Sequence, residues 1–277
     1  MTAAPRRLLV ALLLALAGCS SAARPPATVQ APPPDSEADI ADAERLGQML
    51  FVHDMAAWQA TDALARAGAI QADSPVRGWI TVPQPTGMLV RFIGAPDGTP
   101  VAFYDVMLTA HSPPAVQRWD RPAPLPADQA AAARARATAM ASATLDCSDR
   151  YNTVVFRDPM AAGDDWLVYI LPATTVTGRI MVGRHERITV SEDGNQVRQR
   201  RALSQDCGYI DQSGIPAGAS NVTLALTNLA TPTPNESHVF LTLSHRLPFA
   251  VGTALGGWMV RDGRIAYLGP TPLAPPP

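Results

Sequence analysis

Trp258-Met259-Val260-Arg261-Asp262-Gly263-Arg264-Ile265-Ala266-Tyr267-Leu268 is centred on Asp262-Gly263, the best two-residue hairpin signal in the chain. A type I′ turn needs positive φ at both central positions, and Asp-Gly is among the few dipeptides that supply it. A hairpin with strands at 258–261 and 264–268 follows. Upstream, short apolar runs bounded by turn residues repeat the same design. They predict strands at 78–82, 88–93 and 101–108, then at 151–156, 166–171, 177–190, 196–203, 221–226, 237–243 and 249–253. Gly78-Trp79 and Phe92-Ile93-Gly94 echo Gly257-Trp258 and Tyr267-Leu268-Gly269, a similarity between two hairpins that chance explains.

Two segments read as helices instead. Leu46, Leu50, His53, Ala57 and Leu64 fall on one side at helical spacing, with Met49 and Trp58 beside them. Ser36 followed by Asp39 resembles a capping box with a shortened acid, so a helix is predicted from 37 to 67, ending near Gly68. The Ala-rich segment 124–145 predicts a second helix leading into Cys147. The fold class is α+β, mainly antiparallel β-sheet with a long N-terminal helix and a second Ala-rich helix. No composition shift divides residues 36–277, which read as one globular domain.

The N-terminus carries a different kind of information. Arg6 and Arg7 precede an apolar run, Leu8 to Ala17, of about 10 residues, about half what a membrane-spanning helix needs. A short positive region, a short apolar core and small residues at its end describe a secretory signal. Leu16-Ala17-Gly18-Cys19 resembles the lipobox of bacterial lipoproteins, a likeness confined to residues 1–21. It implies cleavage after residue 18, lipidation of Cys19, and anchoring by more than one acyl chain, which physical estimates require for stable attachment. Ser20, where that family often has Asp for inner-membrane retention, implies the outer membrane with the domain facing the periplasm. Residues 19–35 hold Pro25, Pro26, Pro32, Pro33 and Pro34 and form an extended tether reaching on the order of 50 Å.

On this reading Cys19 is taken by lipid, leaving Cys147 and Cys207 in an oxidising compartment, where an even remainder reads as a disulfide. The 22 basic residues are all Arg, as a GC-rich coding bias would give. The signal removes Arg6 and Arg7 and none of the 24 acidic residues, so the remainder carries a net charge of −4. Such a balance argues against non-specific nucleic-acid binding. A hydrophobic content of 47% with 17% charged residues fits a packed globule.

Catalytic signatures are absent: there is no G-x-S-x-G, G-x-x-x-x-G-K, G-x-G-x-x-G or C-x-x-C. His185-Glu186 opens like H-E-x-x-H, but Thr189 stands where the second His belongs, and that motif needs a helix. On a strand at 237–243, His238 and His245 face opposite ways, and Glu236 with His238 lacks a third ligand, so no metal or other cofactor is expected. Asp164-Asp165 reads as a turn and His53 as a satisfied core histidine.

One polar stretch stands out. If Asp193-Gly194 makes a two-residue turn, Val190 faces Val197, Glu186 faces Arg201 and Arg187 faces Arg200. His185, Arg187, Arg198 and Arg200 then share a face, and like charges directly opposite repel. Neutralisation by neighbouring acids or separation by a bulge is the plainer outcome; the sharper one is an anion site for an anionic envelope component. The expected function is a non-catalytic outer-membrane lipoprotein, partnered with the membrane through its lipid and binding an envelope component or a protein. The opposing readings are an envelope hydrolase, recognisable by a His bonded to both a Ser and a carboxylate, and a structural subunit of an envelope complex.

Overall fold

A computed structural model describes residues 30–69, 74–215 and 222–270; the signal, Cys19 and most of the tether lie outside the described residues. The helix α1 (Glu37–Arg66) runs 30 residues. It is followed by β1 (Gly78–Gln84), β2 (Gly87–Gly94), β3 (Val101–Thr109) and β4 (Ser112–Pro124), which form one antiparallel sheet in that order. After α2 (Ala127–Ser142) come β5 (Arg150–Arg157), β6 (Trp166–Ala173), β7 (Arg179–Met181), β8 (Glu186–Val190), β9 (Val197–Ala202) and β10 (Tyr209–Asp211). β5, β6, β8 and β9 make a second sheet, while β7 and β10 pair apart as a two-stranded ribbon. The last elements are β11 (Leu224–Thr227), α3 (Glu236–His245), β12 (Phe249–Thr253), β13 (Gly256–Arg261) and β14 (Arg264–Gly269). β11 pairs parallel with β12, and the rest of that sheet is antiparallel. The α+β reading therefore holds.

β6 explains the layering. Its run Trp166-Leu167-Val168-Tyr169-Ile170-Leu171 is buried throughout, as a strand covered on both faces should be. Trp166, Val168 and Ile170 pack with the small side chains of α2, including Ala135 and Ala139. Leu167, Tyr169 and Leu171 pack with Leu46 and Leu50 of α1 and with Val239 and Phe240 of α3. Farther along α1, Ala60 and Leu64 meet Val90, Phe92 and Val106 of the first sheet. One helix thus supplies apolar surface to two cores.

Several local expectations change. Ser36 is no capping box: its hydroxyl donates to Pro33 O at 2.6 Å, and its side chain caps no helical N–H. Trp58 is 59% exposed although it sits beside the buried stripe. Residues 237–243 are not a strand but lie within α3, because Asn235 forms a true N-cap. The Asn235 side chain accepts from Ser237 N while Asn235 N donates to His238 Nδ1, satisfying donors that a helix start leaves free. The predicted strand 177–190 is two strands interrupted at Arg184, whose φ is 60°, and β4 is a strand the sequence reading omitted.

The terminal hairpin turns at Asp262 and Gly263, with φ of 50° and 76°, and pairs Arg261 with Arg264. Trp258 faces Tyr267 across it, as Trp79 faces Phe92 in the first sheet, so the echoed residues make the same cross-strand aromatic pair in separate sheets. Cys147 and Cys207 form a disulfide with Cα atoms 5.4 Å apart, joining the segment after α2 to the one before β10. A loop of this length is worth about 4 kcal/mol on the chain-entropy account. Cys147→Ser and Cys207→Ser should lower the thermal midpoint equally, and the double variant should be no less stable than either; unequal, additive losses in calorimetry would contradict the pairing as the source.

Candidate functional site

The expected arginine face does not assemble. Val190 faces Val197, but a bulge next to Thr189 shifts the remaining pairs by one, so Ile188 faces Arg200 and Arg187 faces Arg201. The turn is also longer than two residues: Ser191 N donates to Gln196 O, and Asp193 accepts from the Ser191 hydroxyl and from Asn195 N. The Ser191 bond, with those from Asn195, holds the Asp193 carboxyl down to about 2. Each of the four residues has its own surroundings. Arg200 pairs with Glu186 at 2.6 Å, Arg198 donates to Gln196 at 3.1 Å, Arg187 pairs with Glu236 at 2.8 Å, and His185 is buried. The acids that neutralise Arg187 and Arg200 come from α3 and from the same hairpin.

Glu236 deserves the first explanation, being a carboxylate only 2% exposed. It is the first residue of α3, where the helix N-terminus favours negative charge. The Tyr169 hydroxyl donates to it at 3.4 Å, and Arg187 supplies the counter-charge. Burial, the largest single influence, works against the Arg187 charge, but Glu236, Tyr169 and Asp158 together more than offset it and the guanidinium lies above its ordinary value. Beside this pair a cavity of 310 Å³ opens among Asp42, Asp158, Arg187, Arg201 and Glu236. Arg45 of α1 bridges Asp42 and Asp158 at its rim.

A second cavity, of 370 Å³, lies between α1, α3 and the end of β6. Its walls include Met55, Trp58, Leu171, Met181, Phe240 and Leu241, and its polar groups are Asp54, Asn152, Thr174, Arg179, His185, Ser244 and His245. Arg179 Nε, His185 Nδ1 and Ser244 Oγ are buried without a hydrogen-bond partner. Burial alone raises the Asp54 carboxyl to about 6 and lowers His245. Buried polar atoms are nearly always paired, and each exception calls for a reason. Three such exceptions in one cavity with apolar walls describe a place where a ligand's own polar atoms would complete the set. A neighbouring cavity of 540 Å³ shares Thr174, Arg179 and Met181 with it and is lined by Cys147.

A third cavity, of 410 Å³, is mostly apolar and reaches His53. His53 Nδ1 lies 2.6 Å from Thr81 Oγ1 and its ring stacks on Phe156, so this is the satisfied core histidine expected. As for metals, Asp146, Cys147 and Cys207 are the one group of three potential ligands held close together among the described residues, and its sulfurs are joined to each other. His238 spends its Nδ1 on the α3 cap. Asp164 lies in the turn before Trp166, its carbonyl accepting from Arg157. No protein-family model, curated protein or solved structure matches this chain.

Sequence reasoning found His185 but assigned it to a different cluster. It passed over Asp54, Arg179 and Ser244, which carry no motif and meet only through the packing of α1, α3 and β7. Two outcomes can be measured. Glu236→Ala leaves the Arg187 charge buried and alone, and should cost about 3–5 kcal/mol in urea unfolding.

Stability should also fall with acid. Burial lowers His53, His185 and His238 each to about 4, with His185 repelling His238 in addition, whereas an unfolded histidine titrates near 6.5. Between those values the unfolded chain binds protons the folded chain refuses, so stability is lost as pH drops through that window. Asp54, raised to about 6, opposes one of the three by keeping a proton the unfolded chain releases. These four groups leave two net protons favouring unfolding between about pH 6 and 4, a slope of about 2.7 kcal/mol per pH unit, to which His245, also lowered by burial, adds in the same direction. Urea midpoints should be flat above pH 7 and fall steeply below 6.

Proposed function

We propose that this chain is an outer-membrane lipoprotein, held by lipid on Cys19, whose domain binds a small amphipathic ligand without transforming it. The anchor rests on Leu16-Ala17-Gly18-Cys19, Ser20 and the Pro-rich tether. The Cys147–Cys207 disulfide is consistent with export. The observation that carries the binding role is the cavity under Trp58, with apolar walls and three buried polar atoms that no protein group satisfies. Its volume of 370 Å³ falls within the range of small-molecule pockets.

Asp54, His185, Ser244 and His245 share this cavity, which is what favours an envelope hydrolase as the second reading. Nucleophilic catalysis needs a histidine within hydrogen-bond reach of the nucleophile and oriented by a third group. Among the described residues no histidine bonds both a serine hydroxyl and a carboxylate; His185 meets Ser204 through its backbone N–H at 2.9 Å. Ser244 Oγ has no partner at all. Binding therefore ranks ahead of hydrolysis.

The test combines address and cargo. The full chain should fractionate with membranes, and Cys19→Ala should release it in folded form. Native mass spectrometry of the released protein should show an added mass that disappears on denaturation. Retention of Cys19→Ala in membranes would refute the anchor, and a bare mass that no added small amphiphile changes would refute the binding role.

A further inference from the structure

We infer that the Cys147–Cys207 disulfide is a redox latch on the β7–β10 ribbon, and that a dithiol reductant opens the cavity under Trp58 by releasing it. The gating of a ligand rests on the binding role proposed above, whereas the latch rests on how the ribbon is held. β7 and β10 pair with each other and with no other strand among the described residues. The backbone bonds that close the ribbon, from Val182 N and Gly183 N to Gly208 O and from Gln212 N to Gly178 O, are likewise internal to it. So is the Arg179 guanidinium, 4.0 Å over the Tyr209 ring. A two-stranded ribbon has little stability of its own. Apolar contacts of Ile180, Val182 and Ile210 with the main core, an exposed ion pair between Arg184 and Asp146 at 2.8 Å, and the disulfide fasten it to the body. An exposed ion pair contributes little.

The Cys147 side of the bond is the fixed one. Cys147 N donates to the Tyr151 hydroxyl at 2.7 Å, and the Ser148 hydroxyl donates to Ala173 O, so this segment is anchored on β5 and β6. Arg179 and Met181 of β7 line both the cavity of 370 Å³ and the neighbouring one of 540 Å³, which makes β7 part of the wall they share. Moving the ribbon therefore opens one cavity to the other. Cys207 is exposed and Cys147 half-buried, which leaves the bond open to a thiolate from outside. Attack by one sulfur of the dithiol on Cys207 Sγ forms a mixed disulfide and expels Cys147 as a thiolate. The second sulfur then expels Cys207. The two cysteines take up the two protons that the dithiol gives up, and the dithiol leaves as a disulfide.

Hydrogen exchange read by mass spectrometry tests the latch on the full chain carrying Cys19→Ala, oxidised and after reduction by dithiothreitol in native buffer at neutral pH. Reduction should speed exchange in β7 and β10 roughly tenfold or more while β5, β6 and β8 stay protected, and reoxidation should reverse it. Adding Cys147→Ser and Cys207→Ser together should give the fast ribbon exchange with or without dithiothreitol. Calorimetric titration with 1-octanol reads the cavity, and reduction should weaken its binding roughly tenfold as the closed fraction falls. A bond that dithiothreitol cannot reduce without denaturant, or ribbon exchange unchanged by reduction, would overturn the latch. Protection lost from every sheet would overturn it too, marking the bond as a staple of the whole fold. A released ribbon with unchanged octanol binding would overturn the gating and leave the binding role standing. Octanol binding to neither form, with the ribbon released, would count against the binding role and leave the latch standing.

Discussion

The crossing of α1 over α3 at Gly47 is the contact on which the other features depend. A Cβ at Gly47 would lie 2.5 Å from Val239 Cβ and 2.8 Å from the Glu236 carbonyl, so the helices meet at backbone distance. That approach seats the N-terminus of α3 inside the molecule, which obliges Glu236 to find a counter-charge. Arg187, reaching from β8, supplies it. A buried ion pair of this kind adds little net stability compared with apolar packing, but losing either partner is costly. Its effect is to tie α3, and through it α1, to one register of the β5–β6–β8–β9 sheet.

The cavities follow from the same contact. Pinned at Gly47, α1 and α3 enclose space farther along, toward Asp54 and Ser244 on one side and toward Asp42 and Asp158 on the other. The β7–β10 ribbon, secured by Cys147–Cys207, closes the first of these with Arg179 and Met181. Interior groups that a tightly filled core would have paired or excluded are left lining a space. The histidines show the contrast. His53 has Thr81 and His238 has the Asn235 N–H, while His185 keeps one nitrogen without a partner.

Much of this fold was legible from residues alone. Asp262-Gly263 specified its turn because few dipeptides accept positive φ twice in succession. The stripe from Leu46 to Leu64 specified α1, and the apolar run of β6 a strand covered on both faces. The errors have equally local causes. Val239 and Thr242 gave α3 the appearance of a strand, although Pro234-Asn235 ahead of it is a helix-start signal. A single bulge beside Thr189 undid the arginine face, since a one-residue slip sends each side chain to the other side of a sheet.

Local periodicity, turn chemistry or simple exclusion sufficed for the secondary-structure class, the pairing of Cys147 with Cys207 and the core role of His53. Where the polar groups without partners meet was instead a matter of packing. Asp54, the Arg179–His185 segment and Ser244 stand far apart in the chain, and no spacing rule relates them. Their meeting depends on how closely two helices cross and how a ribbon folds over them, quantities set by the sum of many packing contacts and not by any short stretch of residues.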